Sequence, residues 1–90
     1  MWMIELRFAP TPERLAARPA HRGRLTTLHG AGVVQMAGPL ADDSGALILI
    51  DVPDQAAVES FLDADPYFST AGVTVVHARE WHPFLTSDGS

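Results

Sequence analysis

Residues 18–40 read RPAHRGRLTTLHGAGVVQMAGPL, and the order of helix formers, glycines and β-branched residues in this stretch decides the fold. Pro19 suits the first position of a helix, where its missing N–H is not needed and its fixed φ is already helical. Leu25 and Leu28 lie on the stripe such a helix turns toward a core, and one turn back from Leu25 lies His21. An imidazole is therefore expected on the buried side of the helix, near its amino end. Gly30 and Gly32 end the helix, because glycine takes the left-handed conformation that closes helices. Residues 33–37, with Val33, Val34 and Met36, continue as a strand until Gly38-Pro39, where proline cannot donate to a ladder.

On the amino-terminal side, Trp2, Ile4, Leu6 and Phe8 alternate with Met3, Glu5 and Arg7, the period of a strand. Thr11 is a candidate cap for a short helical turn over residues 12–17, which Pro19 cuts off. The main helix then starts at about residue 19, and Gly23 weakens it by about 1 kcal/mol relative to alanine. On the carboxyl-terminal side, residues 40–45 form a polar hairpin turn. Residues 46–52 follow as a strand apolar enough for burial on both faces. Asp54 caps a second helix whose stripe of Val58, Phe61 and Leu62 extends to Asp65, and Pro66 ends it. Residues 73–81 make the last strand. The order is βαββαβ, an α+β ferredoxin-like fold: a four-stranded antiparallel sheet with two helices on one face. A single domain over residues 1–82 and a polar tail over 83–90 are expected.

Of the 90 residues, 47% are hydrophobic and 19% charged, which marks a globular chain. That is apolar for a small domain and favours a homodimer joined through the helix-free sheet face, since Met3, residues 46–50 and Val76 leave apolar side chains on both faces of the strands. A net charge of −5 without a basic cluster argues against nucleic acid or an anionic membrane as partner. The absence of cysteine excludes disulfides, thiolate metal sites and thiol nucleophiles. The opening MWMIELRF carries Glu5 and Arg7 inside its apolar pattern and does not read as a signal peptide. The longest apolar run, residues 46–50, is too short to span a bilayer, so a cytoplasmic protein is expected.

In this topology the start of the first helix and the end of the second reach the same sheet edge. His21 and Asp65 should meet there, beside Gly38-Pro39-Leu40 and the turn that follows. A carboxylate in the last turn of a helix faces the negative end of the dipole, a loss of about 0.3–1 kcal/mol, and on an apolar stripe it also loses water. A nearby imidazolium or Arg18 would offset both. An imidazole near a helix amino end is pushed toward neutrality, and a neutral imidazole that donates to a carboxylate is what a general base requires. The alternative is structural, with Asp65 capping a turn around Pro66 and His21 a satisfied, half-buried side chain.

Other motifs carry less. His29, His77 and His82 have no spacing that converges on a metal, so no metal site is expected. Gly30-Ala31-Gly32 follows a helix instead of preceding one, which removes the anion-binding terminus of a phosphate loop. Ser44, Ser60 and Ser69 lack a motif that would activate a nucleophile. Arg18 is the one candidate anion clamp.

Four segments, Arg18-Pro19-Ala20-His21, Gly38-Pro39-Leu40, Ala64-Asp65-Pro66 and the late Trp81, resemble the YciI-like (YCII-related) family in order and spacing. The resemblance runs from about Met3 to Trp81. It implies a dimeric α+β barrel of ferredoxin-like protomers, related to muconolactone isomerases and small heme-free monooxygenases. It also implies a histidine–aspartate active site, carried here by His21 and Asp65. A few members are linked to halide elimination from chlorinated aromatic intermediates. This chain departs from the pattern at Arg22-Gly23-Arg24, where relatives more often carry apolar or aromatic residues.

Two functional readings follow. In the first, the chain is a cofactor-independent lyase or isomerase acting on a small, partly apolar molecule. His21 is then the base and Asp65 orients it, while Arg18, Gly38, Pro39 and Leu40 line the substrate site. In the second, it is a non-catalytic dimeric module that binds a metabolite or a protein. A solvent-open pocket beside His21 favours the first reading; an edge filled by Leu40, Phe61 or Tyr67 favours the second.

Overall fold

Alternation in the first strand sorts its side chains to two faces. β1 (Trp2–Phe8) buries Ile4 and Leu6, with Trp2 and Phe8 packed against the same core, and turns Met3, Glu5 and Arg7 the other way. In the computed structural model residues 1–86 are described. Residues 87–90, the end of the expected tail, lie outside the described residues. The further elements are α1 (Pro12–Gly30), β2 (Val34–Pro39), β3 (Gly45–Ile50), α2 (Gln55–Asp63), a 3-10 turn over Pro66–Ser69 and β4 (Val73–Glu80). The strands lie in the order β2-β3-β1-β4 with every neighbour antiparallel, which is the ferredoxin-like α+β arrangement. Val34, Ile48 and Ile50 join Ile4 and Leu6 on the covered face, and Val58, Phe61, Tyr67 and Phe68 close over them.

The first helix differs from expectation. It is one continuous element from Pro12 to Gly30, not a short turn followed by a helix from residue 19. Pro12 takes the first-turn role expected of Pro19, and the Thr11 hydroxyl oxygen accepts from the Arg14 backbone N–H at 3.2 Å. Pro19 sits inside the helix. It is exposed, as is Leu15 one turn back, so water can replace the bond that its missing N–H would make. Burial of Arg14 and His21 on either side of Pro19 holds the two halves on one axis.

Three further elements differ from expectation. β2 runs through Gly38-Pro39 because it is an edge strand, where proline's lost donor interrupts no ladder. β3 is buried on one face only: Ile48 and Ile50 are inside, whereas Leu47 is 39% exposed on the helix-free face. α2 ends at Asp63, and Asp65 caps the separate 3-10 turn, so it does not stand in the helix's last turn.

Two close approaches set the edge where the site lies. Gly72 has φ +95°, and a Cβ there would run into the Thr11 side chain, whose hydroxyl donates to Ala71 O at 2.6 Å. A Cβ on Gly45 would meet the Leu6 carbonyl, backbone that cannot move aside without parting β1 from β3. Gly45→Ala is therefore expected to lower stability by about 1–3 kcal/mol, as overpacking does. Urea denaturation measures it, and an unchanged midpoint would show that the two strands have room to spare.

Candidate active site

Along α1, Arg14 and His21 lie on one stripe two turns apart, and both are buried. Between this stripe and the β2–β3 side of the sheet opens a cavity of about 630 Å³, within the range of small-molecule sites. His21 lines it and is 7% exposed. Its Nδ1 lies 2.6 Å from Asp65 Oδ2. An ionised carboxylate only accepts, so Nδ1 donates and Nε2 keeps its lone pair. No described residue hydrogen-bonds Nε2, which leaves that nitrogen to whatever enters the cavity.

Asp65 divides its two oxygens. Oδ1 accepts from the Tyr67 backbone N–H at 3.0 Å, while Oδ2 takes His21 and, at 3.5 Å, Arg24 Nη1. One carboxylate thus both caps the turn and holds the imidazole. The dipole argument fails, however, because His21 is mid-helix and Asp65 stands at the amino end of a turn. Burial is what lowers the His21 pKa below its usual 6.5, outweighing the attraction of Asp65, and Arg24 and Arg22 push the same way. For Asp65, burial alone would raise the pKa; the hydrogen bonds from His21 and Tyr67 and the nearby cations overcome it and hold the carboxyl below 3.8. At neutral pH the arrangement is neutral imidazole beside carboxylate.

Aromatic rings fix the imidazole plane. Tyr67 stacks on His21 at 4.0 Å and 12°, and Phe68 meets it edge-on at 5.3 Å and 85°. Phe68 was not picked out from sequence, and Tyr67 entered there only as a side chain that could fill the edge beside His21, although Asp65-Pro66 as a capped turn points to the residues just beyond it. Arg14 was missed as well. It is 4% exposed, lies over the Phe8 ring at 4.3 Å, donates to Ala9 O at 3.3 Å and pairs with Asp43 at 3.2 Å. The neighbouring Tyr67 hydroxyl and Asp43 raise its pKa against the effect of burial, so it is a permanent cation. Reading α1 from Pro12 would have exposed the stripe Arg14, Arg18, His21 and Leu25.

Of the remaining expected site residues, Arg18, Gly38 and Pro39 line the cavity. Leu40 does not. It sits in the β2–β3 turn, 46% exposed, with its N–H bonded to Gly45 O. The edge is not filled: Tyr67 covers one face of the imidazole, Phe61 belongs to the core, and the cavity remains open beside His21. His77 faces Glu5 at 3.2 Å and His82 lies 3.6 Å from Glu80, both away from the cavity. His77 lies within β4 and His82 beyond its end. Among the described residues no three histidine, aspartate or glutamate side chains converge as metal ligands. No helix among them is long and apolar enough to cross a membrane.

The YCII-related domain matches residues 1–82. Protein YciI of Escherichia coli O6:H1 (strain CFT073) is 35% identical over 71 residues, covering 68% of this chain and 71% of that protein, and Protein YciI of Shigella flexneri matches to the same extent. Among solved structures, 5-chloro-2-hydroxyhydroquinone dehydrochlorinase from Burkholderia phenoliruptrix AC1100, in complex with 2,5-dihydroxybenzoquinone, is similar with a TM-score of 0.58. That likeness covers 91% of this chain and 94% of the other at 18% identity, and it speaks to the fold. The domain match and the YciI relatives together establish that the chain belongs to the YCII-related domain family.

Proposed function

We propose that this chain is a small enzyme in which His21 removes a proton from a partly apolar organic molecule and Asp65 orients it. The observation that carries this reading is the 2.6 Å bond at Nδ1 combined with an unpartnered Nε2 on an open cavity. Nε2 takes the proton, and the electron pair left behind forms a double bond as a leaving group departs, or returns to the proton at another atom. The first course is an elimination and the second an isomerisation. Asp65 stays ionised and stabilises the imidazolium that forms, while Tyr67 and Phe68 prevent the ring from turning. The dehydrochlorinase of similar fold, whose name describes loss of hydrogen chloride from a hydroxylated ring, favours elimination as the first reaction to test.

A non-catalytic binding module is the second reading, favoured by the structural bond from Tyr67 N–H to Asp65 Oδ1. The homodimer is part of both readings. A second copy would cover the helix-free face, where Met3, Leu47, Leu49 and Trp81 border a shallow groove.

Three outcomes are expected. In chloride release from a panel of chlorinated hydroxyhydroquinones, Asp65→Asn should cut the rate about 10²- to 10⁴-fold, with the far-ultraviolet circular dichroism unchanged. No chloride release by the unsubstituted chain, with Asp65→Asn lowering stability and leaving ligand binding unaffected, would instead support the module. In urea denaturation between pH 8 and 5, stability should hold above about 6.5 and decline below it. The unfolded chain there protonates its histidine before the folded one does, and His21→Gln should flatten that decline. The Asp65 contribution is retained above 3.8 and lost only as pH falls through its lower folded value. Light scattering in the low micromolar range should give twice the protomer mass of 9.7 kDa, and a monomer would remove the dimer from both readings.

A further inference from the structure

We infer that the molecule bound in this cavity carries a carboxylate, gripped by Arg18 and Arg22 on the α1 wall, with its apolar body against the sheet. The inference rests on the cavity being a ligand site, as proposed above, and adds the chemical class of the ligand and its orientation.

Charge distribution is the first argument. The chain has 11 acidic and 6 basic residues, and every basic residue is arginine. Arg14, Arg18 and Arg22 line the cavity, whereas Asp43 is the one acidic residue among the described residues that does. An acidic protein thus gathers half of its arginines around one concave site, where low-dielectric walls focus their field.

Spacing and partners are the second. The three arginines are four residues apart, which sets them in a row along one side of α1, where like charges repel. Arg14 is neutralised by Asp43. Arg24, outside the cavity lining, reaches Asp65 and lies over Phe61 at 5.1 Å. The Arg18 and Arg22 guanidiniums have neither an ion-pair nor a hydrogen-bond partner among the described residues. Two adjacent cations left unpaired at a cavity wall make a site for an anion, and the flat fork of arginine matches a planar oxyanion.

The opposite wall is the third. Val34, Ala37, Ala46 and Ile48 face the cavity from β2 and β3 and offer apolar surface without charge. A ligand with one charged end and one apolar body therefore has a single favourable orientation. His21 lines the same cavity from the same helix as both arginines. A bound anion would also offset the repulsion that Arg22 exerts on an imidazolium at His21.

The test is an NMR shift titration with a panel of aryl and alkyl carboxylates, each paired with its neutral amide, and with inorganic phosphate. The expected result is that at least one carboxylate binds about tenfold or more tightly than its amide. Arg18→Gln/Arg22→Gln should erase that difference, with the far-ultraviolet circular dichroism unchanged. His21→Ala should keep the preference, since the anion is held by other residues. If no carboxylate exceeds its amide, or if the double variant retains the preference, the inference is overturned. Phosphate binding more tightly than every carboxylate overturns the assignment to a carboxylate. None of these outcomes depends on proton transfer, so the loss of turnover on Asp65→Asn remains a separate measurement.

Discussion

The buried hydrogen bond between His21 and Asp65 is the constraint around which the rest is arranged. Two polar side chains, 7% and 4% exposed, lie against Tyr67 and Phe68, where either alone would be an unsatisfied group costing about 1–3 kcal/mol or more. To bring them together, α1 must continue through Pro19, and the chain after α2 must tighten into the Pro66–Ser69 turn. The βαββαβ order supplies the rest by carrying both ends to the same sheet edge.

Much of this was legible in the sequence. Alternation at Trp2–Phe8, the stripe of Leu25 and Leu28 and the stripe of Val58 and Phe61 give the element types and the buried faces, because burial imposes those periods directly. The meeting of His21 with Asp65 was read from the topology together with the two helix stripes, although His21 stands mid-helix and Asp65 beyond the end of α2. What the sequence hid were places where tertiary contacts override a local rule. Pro19 looks like a helix start, yet burial of Arg14 and His21 on either side keeps the helix intact. Leu40 looks like a cavity residue because it follows Gly38-Pro39, but the hairpin bonds at Gly45 turn it out. Arg14 gave no signal because its partners, Phe8 and Asp43, come from two other elements.

The β2–β3 turn links scaffold and cavity. Asp42 Oδ1 accepts from the Ser44 backbone N–H at 3.0 Å and from its hydroxyl at 2.6 Å, and Asp43 adopts φ 58°, in the left-handed region that aspartate tolerates. That conformation presents the Asp43 carboxylate to Arg14 at the cavity wall. A surface turn thereby sets which of the cavity arginines is neutralised.

The division of labour within Asp65 bears on how this position can change over generations. Its two oxygens answer to different neighbours, one to the Tyr67 backbone and one to the His21 ring. Glutamate is a methylene too long for the same pair of contacts. Asparagine keeps the shape but turns one acceptor into a donor. A lineage drifting away from aspartate here would need a second change near residue 21 or 24 first, so the position is isolated by its context as much as by its own chemistry.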